Sequence, residues 1–138
     1  MTEPLELLRR ARHVVVQDFP DRGVPDALLA AGATVTIYGG PDPADVSTQD
    51  LDDGVVVLRQ RGERPESADL LYVYRPFAEI DGILTEAERL GVAAIWRQPE
   101  PGGPDADAAA WRERVEGAGF AYVEGPITDV AEEIATSR

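Results

Sequence analysis

The residues best placed to do chemistry lie in the loop Gln17 to Asp26, inside the stretch VVVQDFPDRGVPDALLAAGATVTIY from Val14 to Tyr38. An apolar run breaks into Asp, Pro, Arg and Gly, then resumes as a helix-forming stretch. That order sets an anion such as a phosphate against the free backbone N–H groups of a helix N-terminus. Pro25 suits a first helical turn, and Arg22 adds a charge-assisted contact. Asp18, Asp21 and Asp26 act against it. At ~4 Å two like charges repel by about 4 kcal/mol at an effective dielectric near 20, more than a helix N-terminus returns. The alternative is that Asp21 or another of these acids caps the helix from within the chain.

Other candidates carry similar alternatives. Arg75 ends an apolar run and precedes Pro76, which fixes the chain's exit; it faces a ligand or pairs with an acid at the same sheet end. Arg59, Arg61 and Arg64 form the one locally positive stretch, able to receive a phosphate or to neutralise neighbouring acids. Trp96 and Trp111 read as core, with an adenine platform as the rival use. Tyr72 and Tyr74 alternate with Val73 and so share a face, and Tyr38 ends the second apolar run, within reach of a sugar or base. His13, the sole histidine, has no spacing that builds a metal site or a Ser-His-Asp triad. No pair of carboxylates stands out as acid and base. No catalytic set and no metal set is therefore expected.

Composition narrows the classes. A chain of 138 residues with 43% hydrophobic residues holds one core, so a single domain over residues 1–138 is expected. With 26 acidic against 13 basic residues the formal charge is -13, which repels nucleic acid and anionic lipid. Neither is expected as a partner. All basic residues are arginine, which excludes Schiff-base lysine chemistry and a Walker lysine. The absence of cysteine removes disulfides, thiolate nucleophiles and sulfur metal sites. No apolar run approaches the ~20 residues of a membrane span, and the start MTEPLELLRRARH lacks an h-region and cleavage site, so a soluble cytoplasmic protein is expected.

The elements that must position these residues follow from a recurring grammar. VPDALLAAGATVTIY, IDGILTEAERLGVAAIW and AAAWRERVEGAGFAYVE each run a helix former into a glycine (Gly32, Gly91, Gly119) and then a short apolar run. Such a glycine suits a left-handed helix cap. The runs Val14–Val16, Thr34–Tyr38, Leu70–Tyr74, Ala93–Trp96 and Ala121–Val123 read as buried parallel strands. Alternation of this kind predicts an α/β fold: a single doubly wound, mainly parallel five-stranded sheet with helices on both faces. A leading helix capped at Thr2 carries Pro4, Leu5, Leu7 and Leu8 against the sheet. Gly39–Gly54 reads as an acidic surface loop, VVVLRQRG as a short extra strand, and Arg97–Asp107 as a loop opening a helix capped by Asp105 or Asp107. Both long loops follow strands, the end of an open α/β sheet where ligands sit.

At ADLLYVYRPFAEIDGILTEAERLGVAAIWRQ, Ala68 to Gln98, the chain resembles the small stand-alone CoA-binding domain proteins, whose Rossmann-like fold is shared with the α subunit of succinyl-CoA synthetase. The matching pieces are a strand ending Tyr74-Arg75-Pro76, a helix, Leu90-Gly91, and a strand ending Trp96-x-Gln98. Pro20-Asp21-Arg22 and the leading helix extend the likeness. The resemblance implies a non-catalytic protein that binds CoA or an acyl-CoA, through Gln17, Asp18, Arg22 and Gly23 after the first strand, Tyr38, Gly39 and Gly40 after the second, and Arg75, Pro76 and Gln98. The departures fall in the same places. A glycine usual after the first strand is replaced by Gln17-Asp18-Phe19 and the loop is shortened, Gly39-Gly40 stands for Asn-Pro, and Glu124-Gly125-Pro126 stands where a cysteine is common. Weak affinity is the expectation, and a protein–protein interaction module that has lost the nucleotide is the alternative.

Overall fold

The computed structural model describes residues 3–38, 45–99 and 107–136. In chain order the elements are α1 (Pro4–Arg10), β1 (His13–Gln17), α2 (Gly23–Ala30), β2 (Thr34–Tyr38), β3 (Val46–Asp52), β4 (Val55–Arg61), β5 (Leu70–Val73), α3 (Ile80–Leu90), β6 (Ala94–Arg97), α4 (Ala108–Gly117), β7 (Ala121–Glu124) and α5 (Ile127–Thr136). The strands form one sheet in the order β4-β3-β2-β1-β5-β6-β7.

The five short apolar runs form the parallel part. β1 pairs parallel with both β2 and β5, β5 with β6, and β6 with β7. They are buried on both faces, as β-branched and aromatic runs without alternation require. One face carries Val14, Val16, Val35, Tyr72 and Trp96, covered by Leu8 of α1, Leu28 and Leu29 of α2, and Ile127, Ala131 and Ile134 of α5. The other carries Val15, Leu71, Val73 and Ile95, covered by Ile83, Ala87 and Leu90 of α3 and by Trp111 and Val115 of α4. Both tryptophans are core, and Tyr72 and Tyr74 share a face. Gly32, Gly91 and Gly119 all adopt positive φ, at 98°, 70° and 95°.

Three expectations are corrected. The sheet is seven-stranded and mixed, because β3 pairs antiparallel with β2 and β4 antiparallel with β3. The second half of the expected Gly39–Gly54 surface loop is therefore strand. Its polar side chains hid it, but they are satisfied by neighbours: Thr36 Oγ1 lies 2.8 Å from Thr48 Oγ1, and Thr34 donates to Asp50 Oδ1 at 2.5 Å. Asp53 and Gly54, both at positive φ, make the tight turn into β4. Second, a ten-residue helix, α5, follows β7, beyond the last of the expected strands. Third, Asp107 sits at the start of α4 without a side-chain cap bond. Thr2, Gly39, Gly40 and Asp105 lie outside the described residues.

The order of strand addition reverses between β1 and β5, β2 lying outward of β1 on one side and β6 and β7 outward of β5 on the other, with α2 leaving β1 to one face and α3 leaving β5 to the other. The carboxyl ends of these two strands flank the crevice where a doubly wound sheet binds ligands.

Candidate functional site

Gln17, Asp18 and Phe19 follow one side of that crevice, and Tyr74, Arg75 and Pro76 the other. Asp18 stands in the left-handed region, φ 67°, a conformation Asp tolerates better than most residues. Its Oδ1 accepts the Phe19 N–H at 2.8 Å, and its Oδ2 accepts Arg75 Nη1 at 2.9 Å. Arg75 also donates Nε to both oxygens of Glu79 at 3.1 Å. These hydrogen bonds, Glu79 first and then Asp18, raise the guanidinium's pKa further above its ordinary value. Two residues expected to face a phosphate, Asp18 and Arg75, thus hold each other across the crevice.

The helix end is closed in the same manner. The Gly23 N–H donates to Asp21 Oδ1 at 2.8 Å, the Val24 N–H to the Asp21 carbonyl at 3.3 Å, and the Asp26 N–H to the Arg22 carbonyl at 3.2 Å. Pro25 has no N–H. The Gly23 and Val24 donors at the start of α2 are thus both taken by Asp21. Gly23 is needed for this: a Cβ there would lie 2.7 Å from Asp21 Oδ1. Arg22 pairs with Asp26 at 3.4 Å and donates to Gln49 Oε1 at 3.3 Å.

Beside the crevice, on the α3 face, is a cleft of about 520 Å³ lined by Gln17, Tyr38, Arg64, Glu79, Gly82 and Glu86. Sequence reasoning passed over Glu86, although it is one of the few buried charged residues, 7% exposed. Its carboxylate accepts Tyr38 Oη at 2.5 Å and Arg89 Nε and Nη2 at 2.7 Å each, and Arg64 stands 3.6 Å away. Burial would lift this carboxyl, but Arg89, Tyr38 and Arg64 outweigh it and hold the group below its ordinary value. Burial, then Glu86, pushes the Tyr38 phenol well above its own. A signal existed: Glu86 falls between Ile83, Ala87 and Leu90 on the apolar side of α3. The Gln17 Oε1 is buried without a partner and is the cleft's unmet acceptor.

The remaining expected residues are engaged elsewhere. Gln98 Oε1 accepts Tyr72 Oη at 2.6 Å, and Pro76 leads into a short 3-10 turn, Phe77–Glu79. Arg59 pairs with Asp50 at 3.1 Å and Asp52 at 3.6 Å, so the arginine stretch largely neutralises local acids. His13 Nε2 is 2.6 Å from Thr36 Oγ1, and burial lowers its pKa against the opposing pull of Asp69 and Asp50. Among the described residues no group of three metal-ligating side chains comes together. Among the described residues of the site no nucleophile is paired with a base, and the carboxylates of Asp18, Glu79 and Glu86 are engaged by arginine. A further cleft of about 560 Å³ lies by α1, Asp69 and Ala93, at the amino ends of β5 and β6, the opposite end of the sheet.

No family model matches the chain, and no curated protein matches it. Among solved structures it is similar to a protein of unknown function from Methanothermobacter thermautotrophicus, with 15% identity, a TM-score of 0.51, and coverage of 90% of this chain and 86% of that one. That likeness bears on the α/β fold alone. No helix among the described residues is long and apolar enough to cross a membrane.

Proposed function

We propose that the protein is a non-catalytic protein–protein interaction module that keeps a Rossmann-like scaffold without a working phosphate loop. The observation that carries this reading is the Asp21 carboxylate on the Gly23 N–H, in the space a Cβ would need. That carboxylate takes the donor, and contributes the negative charge, that a bound phosphate would otherwise supply at the start of α2. The Asp18–Arg75 pair supports it, since it engages one of the two arginines expected to meet a phosphate.

CoA or acyl-CoA binding in the cytoplasm is the second reading. It is favoured by the crevice itself, which gathers Gln17, Asp18, Arg75 and Pro76 at the reversal of the strand order, and by the unmet Gln17 Oε1. One calorimetric and thermal-shift screen separates the two, using CoA, acetyl-CoA, NAD, ATP and ADP with wild type, Asp18→Asn, Asp21→Asn and Asp18→Gly. The interaction reading expects no binding by wild type. Tight CoA binding by wild type, unchanged in Asp18→Asn and Asp21→Asn, overturns it. Several-fold gains in the variants over a weak wild-type signal support the second reading, because removing a like charge beside a phosphate recovers on the order of 1 kcal/mol.

A further inference from the structure

The connection from β4 to β5, residues 62–69, is a strap without helix or strand that runs along α3. Gly62 N–H donates to the Val46 carbonyl at 2.8 Å, Arg89 Nη1 to the Pro65 carbonyl at 3.0 Å, and Ala68 N–H to the Leu90 carbonyl at 3.2 Å. The strap carries Arg64 to the cleft of about 520 Å³, which α3 lines with Gly82 and Glu86 and which β1 and β2 line with their last residues, Gln17 and Tyr38. Gly82 stands one turn before Glu86 on the same side of α3, and a Cβ there would meet nothing within 4 Å, so its bare Cα widens the cleft.

Positive charge is in surplus around Glu86. Its carboxylate is already met by the Arg89 fork at 2.7 Å and by Tyr38 Oη. Arg64 lies 3.6 Å from it, beyond a hydrogen bond, and makes no other pairing among the described residues. Glu79, the other carboxylate of the cleft, is held by Arg75. A guanidinium with open N–H donors takes a carboxylate in a two-pronged contact. Glu79 and Glu86 flank the same space and oppose a second negative charge, which disfavours a dianionic phosphate. The Gln17 carboxamide makes no hydrogen bond among the described residues, and its Oε1 is shut away without a donor. Rotation about its last, soft torsion gives that oxygen to a donor entering the cleft. We infer that the cleft binds a small organic acid of the amino- or hydroxy-acid type, with its carboxylate on Arg64 and its N–H or O–H donor on Gln17. The lining includes neither Asp21 nor any residue of α2, so this binding goes beyond the interaction reading and does not depend on it.

Amide NMR titration of the wild-type chain tests it, with the common α-amino acids, their 2-hydroxy analogues, the matching plain carboxylates, the matching amines, and inorganic phosphate. An amino or hydroxy acid should shift Gln17, Tyr38, Arg64 and residues 82–86, and should bind more tightly than its plain carboxylate; amine and phosphate should shift none of them. The tighter of the two acids identifies the source. Arg64→Gln, at a side chain more than half exposed, should weaken binding about tenfold. Gly82→Leu should fill the cleft and abolish binding while signals from β6 and β7 stay in place. Arg61→Gln, outside the lining, should leave the affinity unchanged. The inference is overturned if no acid shifts these residues, if binding survives Gly82→Leu or is untouched by Arg64→Gln, or if plain carboxylate, amine or phosphate binds equally well. A titration that shifts none of these residues leaves the interaction reading standing, since that reading rests on the Asp21 carboxylate at α2.

Discussion

If Gly23 is glycine in order to admit the Asp21 carboxylate, the two positions must be energetically coupled, and a double-mutant cycle measures that coupling. Asp21→Ala removes one hydrogen bond at the start of α2, a loss of about 1 kcal/mol by analogy with helix caps. Gly23→Ala raises helix propensity by up to ~1 kcal/mol. In the wild-type background its Cβ meets Asp21 Oδ1 at 2.7 Å, so the carboxylate must swing away and the same ~1 kcal/mol is forfeited. In the double variant the bond is lost once and the propensity gain is kept. The double should therefore be no less stable than Asp21→Ala alone, with a coupling of about 1 kcal/mol. Urea unfolding resolves this, since at a slope of ~2 kcal/mol per molar a difference of 1 kcal/mol moves the midpoint by ~0.5 M. Additivity to within ~0.3 kcal/mol would refute the reasoning. Gly23 would then need another explanation, such as the approach of a ligand.

Two more outcomes follow from the geometry. Gly91→Val places a β-branched residue at φ 70°, and Gly32→Val does the same at φ 98°; each should lower stability by at least ~1 kcal/mol, and unchanged denaturant midpoints in both would sink the cap assignment. Glu86 has a folded-state pKa below its unfolded value, so it binds protons more readily when unfolded; its stabilisation is present above the ordinary value of 4.5 and disappears as pH falls through the folded value. The stability gap between wild type and Glu86→Gln should accordingly be largest near neutral pH and narrow below pH 4.5, and a gap independent of pH would contradict the assignment.

How much of this was legible in the sequence depended on whether burial or pairing set the residue type. The five parallel strands are buried on both faces, so their apolar runs announced them, and glycines at positive φ, Gly32, Gly91 and Gly119, marked the approach to three of them, β2, β6 and β7. β3 lies nearer the edge and is written in Ser, Thr, Gln and Asp, residues whose strand character comes from cross-strand hydrogen bonds that a one-dimensional reading cannot see. The Asp53-Gly54 dipeptide was the available clue. α5 was signalled by Ile127, Ala131 and Ile134 on one side, directly after Pro126. At the site, sequence brought three aspartates to the loop but could not allot their partners. The Asp18–Arg75 pair spans 57 residues, and only the parallel pairing of β1 with β5 brings its ends together.

The left-handed backbone at Asp18 has a genetic corollary. The position retains a conformation that glycine adopts at no steric cost, while its side chain ties down the Phe19 N–H and Arg75. Aspartate and glycine codons differ by a single base, so one transition would place a glycine here, release the Phe19 N–H and leave Arg75 held by Glu79 alone. A single step would therefore loosen the β1 side of the crevice while the Asp21 seal on α2 stays in place.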